Sequence, residues 1–409
     1  VLSLDKTTHD RMTAALPAPL HAAAEASFAA FESMAMPTAK QEDWRYVDVP
    51  GLPDGEGLAD GPGAPATPSE VEAALGSVAG RADIVDGYVT GIAGLVTSLA
   101  DSDPGSYTSR VPTDRFGAIA GAFGGHGVAV RTTRGQSVDR PVFVSMEAAT
   151  PGVVSVPRVL VVADEASSVN LVIEQRSANG LDTLVLPDIE VIAGQAARVS
   201  VTVVQMWGNE TTAVGRHRFE AGRDASVGLA EAGLGGRFSR LHLTVDLVGR
   251  GADARITGAY FGDQDQTLDY RYFMNHVGAN TTSEMFLKGA VAGDSRSVFT
   301  GLIRIEPSGQ GSNAHQTNRN LVLSDDAEAH SVPNLEILAN DVRCGHGSAV
   351  GPLDEEQRYY LMSRGLPEPN ADRLQVLGFF EEALQKFPHL EIEPMLRSAA
   401  MAKYDRITR

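Results

Sequence analysis

One corner pattern recurs along this sequence at a nearly constant interval, and that interval restricts the fold more than any other feature. It appears in Ala163–Leu171, Ala193–Val201, Ala221–Leu229 and Gly249–Thr257, each a small or polar turn running into alternating apolar residues. The equivalent apolar positions Val169, Val199, Val227 and Ile256 are 30, 28 and 29 residues apart. A fixed period of this length marks a stacked array in which each unit buries its apolar side chains against the next. Short Val/Leu/Ile-rich runs flank the corners, including Val128–Val130, Val142–Ser145, Val159–Val162, Val199–Val204 and Leu241–Val248. With about two strands per unit and small residues at the bends, the fold expected is mainly β: a right-handed β-helix, or β-solenoid. The four aliphatics should stack inside it, one coil apart. The competing arrangement is a sandwich of accidentally similar hairpins.

The flanks read as helical, giving three expected zones: an N-terminal helical domain over 1–110, the β-helix core over 111–340 and a C-terminal helical domain over 341–409. Pro19 to Met36 is Ala-rich with apolar residues near a 3.6 period, and Pro37 ends it. A short helix carrying Trp44 and Tyr46 should follow. The Gly/Pro-rich stretch Pro50–Pro68 has almost nothing to bury, and Ser69 is placed to cap a helix after it. At the other end, acids first and Arg364 last match the macrodipole of a helix over Asp354–Arg364. Tyr359 and Tyr360 should lie partly in the helical core, facing the solenoid end. Asn370 should cap a second helix through Phe387, and Leu390–Tyr404 makes a third. Residues 353 to 404 are expected to cap the solenoid.

Composition narrows the function. A net charge of −18 repels phosphate backbones and anionic membrane surfaces, which disfavours a primary nucleic-acid or membrane role. The single cysteine forbids an internal disulfide framework and any metal site built from this chain's cysteines alone. No apolar run approaches the ~18–20 residues that span a bilayer, and the opening residues lack a secretory-signal pattern. The expected compartment is the cytoplasm.

The densest polar stretch runs from Ser312 to Gly347 and holds His315, Asp325, Asp326, Glu328, His330, Glu336, Asp341, Cys344 and His346. In a strand, Cys344 and His346 point to the same side, a geometry suited to a soft or borderline metal. They are the candidate metal-binding residues. Two ligands fall short of a zinc site, and a buried thiol beside a hydrogen-bonded loop imidazole fits the same pair. His315 and His330 read as surface or corner residues. Gly233-Leu234-Gly235-Gly236 lacks the Lys-Ser/Thr of a phosphate loop, and Asp263–Gln266 lacks the Gly and Glu of a calcium loop.

The segments Gln316–Ser324, Pro333–Ile337, Asn340–Gly351 and Tyr359–Gly365 resemble, in order and register, the SufB/SufD family. Upstream, Pro37-Thr38 with Glu42–Tyr46, Gly121–Phe123, Gly127–Val130 and Arg140–Val142 extend the resemblance over nearly the whole chain. Within the family the chain is similar to the SufD-type subunit. The sister SufB-type scaffold carries a cysteine in the segment matching Ser324–His330, where this chain has Ala327.

The resemblance implies a non-catalytic subunit of a cytosolic scaffold complex that assembles iron–sulfur clusters. Its partners would be a SufB-type scaffold and two copies of a SufC-type ABC ATPase, with a homodimer possible when it is alone. It further implies that His346 lies where two β-helices meet and helps hold nascent iron or a cluster shared with the SufB-type partner. The C-terminal helices are expected to dock the ATPase. Two alternatives stay open: a SufB-like homodimeric scaffold acting alone, and a polysaccharide-active β-helix enzyme.

Overall fold

The computed structural model describes residues 1–407 except 48–50, 52, 54–56, 66–67 and 106–111. Much of the Pro50–Pro68 stretch therefore lies outside the described residues. The core is a β-solenoid of about eight turns. Each turn gives one strand to a ten-stranded sheet and one to an eleven-stranded sheet, and along both sheets successive coils pair in parallel. Parallel pairing between strands about 29 residues apart rules out the sandwich of antiparallel hairpins.

The repeat originates in the corners. Gly135, Ala166, Ala196, Asp224, Gly251, Asn280 and Gly311 all have positive φ, between 54° and 76°. Each donates its backbone N–H to a carbonyl in the equivalent corner of the next coil, as in Ala166 to Gln195 and Ala196 to Arg223, both 2.8 Å. The left-handed backbone turns the chain sharply, and the ladder satisfies polar groups that the bend would strand. Gly251 has no alternative, because φ is +75° and a Cβ there would lie 2.3 Å from Asp224 Oδ1.

Val169, Val199 and Val227 stack as expected, but Ile256 stacks on Leu229, and Ala254 follows Val227. The coil from Asp224 to Gly251 advances only 27 residues. Because strand side chains alternate with period two, this shift moves Ile256 along its strand yet leaves it facing the interior. All four side chains are buried in one core cluster.

Strand pairing also begins earlier and ends later than 111–340. Gly80–Val85 and Tyr88–Gly94 form an antiparallel hairpin that joins the ten-stranded sheet through Val142–Ala148. Its turn is Asp86-Gly87, both at positive φ, the sequence signature of a tight hairpin between apolar runs. At the other end, Arg343–Gly351 is a strand.

The helices cover the outer faces of the two sheets. Lys6–Thr13, Ala18–Ser33 and Arg115–Phe123 pack Phe28, Phe31, Phe116 and Phe123 against Val154, Leu184, Leu186 and Val214 of the eleven-stranded side. Trp44 lies in a three-residue helical turn and stacks on the Arg240 guanidinium at 3.9 Å.

Glu368–Leu384 and Glu393–Ile407 lie on the other sheet, where Val376, Phe380, Leu384, Leu396 and Tyr404 cover Phe143, Val172, Val204, Phe261 and Phe286. The C-terminal helices thus clad a sheet face instead of capping the end of the solenoid, because the outward residues of the middle strands form an apolar stripe that needs cover. The first of them, Glu355–Ser363, buries none of its residues. Tyr359 and Tyr360 are 76% and 57% exposed, contrary to the core position expected. No helix among the described residues is long and apolar enough to cross a membrane.

Candidate functional site at the open end of the solenoid

The last coil consists of Glu328–Ile337 and Arg343–Gly351. Each is the terminal strand of its sheet and, among the described residues, is paired on one side only. Both therefore present a row of backbone donors and acceptors along the free edge, a ready template for another chain. Val350 and Ile337 are 45% and 42% exposed beside these edges.

Register fixes what faces the mouth. Cys344 lies over Ala314, His346 over Gln316, Ser348 over Asn318 and Val350 over Asn320. The four lower side chains are buried in the solenoid, so their upper neighbours point the same way. They are open to solvent only because no further coil covers them. Ser348 Oγ donates to Ser331 Oγ across the interior at 2.8 Å.

Cys344 and His346 share a side, as their spacing implies, but occupy different surroundings. Cys344 is half-buried and packs with Leu335 and Val342 against the main core. Burial pushes its thiol pKa up, which keeps sulfur protonated and poorly nucleophilic. His346 stands exposed at the rim.

The other histidines of this stretch do not converge on it. His315 lies on the outer face of its sheet beside Gly345. His330 lies on the outer face of the opposite sheet, stacked on Tyr46 at 4.9 Å with Nε2 3.3 Å from a Glu328 carboxylate oxygen. Among the described residues, one group of three potential metal ligands comes together, His9, Asp10 and Glu25, and it is distant in the fold. There the Lys6 ammonium already sits 2.9 Å from Asp10 and 2.8 Å from Glu25. Among the described residues, no comparable group of potential metal ligands gathers around His346 at the open end.

Beneath the mouth the interior turns polar. Tyr260 donates to Asn320 Oδ1 at 2.6 Å, Asn318 donates to the Tyr260 hydroxyl at 3.1 Å, and Asn320 donates to Asn318 at 2.7 Å. Gly289 makes room, since a Cβ there would lie 1.9 Å from the Tyr260 ring. Deeper still, Tyr272 donates to Glu231 Oε2 at 2.9 Å. Burial raises the Glu231 carboxyl to about 8 and the Tyr260 phenol to about 12, so both are neutral near pH 7. Gln316, directly under His346, is also part of this floor. Its signal was in the sequence, for Gln316 precedes His346 by 30 residues, one coil of the repeat.

The sequence matches known proteins over most of its length. A family profile described as SUF system FeS cluster assembly, SufBD core domain, matches residues 144–379. A SufBD family iron–sulfur cluster assembly protein of Mycobacterium tuberculosis is 32% identical over 398 residues, covering 95% of this chain and 94% of that protein. The chain belongs to the SufBD family. Iron–sulfur cluster assembly protein SufD of Bacillus subtilis is 31% identical over 247 residues, 60% of this chain and 56% of that one. The Arabidopsis thaliana protein ABCI7, chloroplastic, is 26% identical over 346 residues, 78% of this chain and 72% of its own length. The SufBD match spans the solenoid from its early coils through the last coil to the second C-terminal helix, so the open end and His346 lie inside the matched region. Membership places the chain in the SUF system of iron–sulfur cluster assembly.

Proposed function

We propose that this SufBD chain is a SufD-type, non-catalytic scaffold subunit, working in the cytoplasm. It would join a SufB-type partner end to end through the open mouth of its solenoid. The observation that carries this reading is the last coil, where two unpaired strand edges frame an inward-facing but solvent-open His346. A second solenoid end can continue both sheets by strand addition, as exposed edges allow. The iron or nascent cluster is then cargo held between two chains. His346 supplies one imidazole ligand and the partner supplies the several thiolates a cluster needs, which this chain, with Cys344 as its single cysteine, lacks. Cys344 serves as a packing residue beneath the rim. Self-pairing through the same edges would give a homodimer when the partner is absent.

The exposed aromatic face of Glu355–Ser363 supports a second contact, with a SufC-type ATPase. Tyr359, Tyr360 and Met362, and Leu374 of the next helix, are each exposed apolar side chains on this side of the fold. ATP-driven movement there would pass through the helices clamped on the ten-stranded sheet to the coils near His346.

The test is co-expression with the SufB-type and SufC-type partners, followed by iron and sulfide analysis of the purified complex. His346→Ala should leave the complex intact and lower its iron. Full iron loading and normal cluster output in a variant lacking both His346 and Cys344 would remove the ligand role.

A further inference from the structure

One interior row of the solenoid changes character at its end. Leu171, Val201, Leu229, Ile256 and Met285 stack coil on coil, and the row then continues through Gln316 to His346. Gln316 is 1% exposed. Its Nε2 donates to the Asn334 carbonyl at 3.3 Å, and its Oε1 has no partner among the described residues.

The amide has a definite orientation. Its oxygen lies over Gly301, where a Cβ would be 2.2 Å away. Asn334 belongs to the terminal coil and Gly301 to the coil before it. The nitrogen is therefore on the side of the open end and the oxygen on the side of the interior. Reversing the amide would set its oxygen against the Asn334 carbonyl, which can only accept. An amide nitrogen carries two N–H groups, and among the described residues only the Asn334 bond uses one. A buried amide with most of its hydrogen-bonding capacity unmet costs stability, and the apolar Met285 one rung below shows what packing alone would select.

We propose that Gln316 is a second binding residue of the mouth, its spare Nε2–H donating to an anionic sulfur, sulfide or thiolate, on the iron held at His346. This rests on the reading of His346 given above. Neighbouring strands lie about 4.8 Å apart, so the two side chains, on one face and in register, can reach a shared ligand. Hydrogen bonds to sulfur are among the levers by which a protein tunes an iron–sulfur centre.

The experiment compares Gln316→Met, Gln316→Glu and His346→Ala in the full complex, loaded with ferrous iron and sulfide. Gln316→Met alone should unfold at the same urea concentration as the parent chain or a higher one, and its complex should assemble. It should retain iron about tenfold less tightly, the loss of one hydrogen bond to a charged atom, and shift the visible sulfur-to-iron absorption. Gln316→Glu, which sets a carboxylate against sulfur, should shift that absorption further. Parental retention and spectrum in Gln316→Met, with iron lost in His346→Ala, would overturn this inference alone. Lower urea stability accompanying the lost iron would reassign Gln316 to a structural role. Parental iron in His346→Ala would overturn both readings together.

Discussion

Ser348 and Ser331, on the two strands of the last coil, are joined across the solenoid interior by a 2.8 Å hydrogen bond. The bond lies one rung beyond His346 on its strand. It ties the two free edges to each other, so the mouth is shaped before any partner arrives. Preorganisation of this kind lowers the cost of docking.

Beneath that mouth, Glu231 gives the fold a pH signature. Its carboxyl is raised from an ordinary 4.5 to about 8 by burial in the solenoid. Between these values the native state keeps a proton that the unfolded chain has lost. Stability should therefore fall as pH rises from about 5 to 8, and level off above. Glu231→Gln keeps an acceptor for Tyr272 and removes the titration. Urea unfolding at pH 5, 6.5 and 8 should show a smaller decline for the variant, and it should be the more stable protein at pH 8. Parallel pH profiles would contradict the buried neutral carboxyl.

Much of this architecture is legible in the sequence because the corners announce themselves. A left-handed bend needs Gly, Asn, Asp or a small residue, so the corners at Ala166, Ala196 and Asp224 repeat visibly. The fold class and the inward valines follow from them. The exact register does not, since the coil from Asp224 to Gly251 is short by two residues and alternation hides the slip. Cys344 and His346 share a side because two residues separate them. Their different burial depends on where the last coil stops, which is a property of the whole stack. The misplacement of Tyr359 and Tyr360 has the same origin: a helix can be recognised from its caps, but the partner for its apolar face is set by what other elements leave uncovered.

The cladding of the ten-stranded sheet depends on one buried charge cluster. Asp263 accepts from Lys403 at 2.8 Å and from Arg406 at 2.7 Å, and Lys403 also donates to the Leu234 carbonyl and Gln266, both at 2.6 Å. Removing the carboxylate strands a buried ammonium. Asp263→Asn should cost about 3–5 kcal/mol. Amide exchange should rise first in Glu393–Ile407. An unchanged urea midpoint and unchanged exchange in that helix would show that the apolar contacts hold it without the cluster.

Tyr359 and Tyr360 should matter to a partner and not to the fold. Replacing both with Ala should move the thermal midpoint little, as exposed substitutions usually change stability by no more than about 0.5 kcal/mol. The same variant should lose capture of the SufC-type ATPase while still binding the SufB-type subunit. Undiminished ATPase capture would move that contact elsewhere on the chain.

The claim on which the rest depends is that the open end of the solenoid is the docking surface for a SufB-type partner. Hydrogen–deuterium exchange of the chain, alone and with that partner, measures it directly. Strand addition should protect amides of Arg343–Gly351 and Glu328–Ile337 strongly and leave the middle coils unchanged. Protection confined to the sheet faces or the C-terminal helices, with the two edge strands exchanging as in the free chain, would contradict the account.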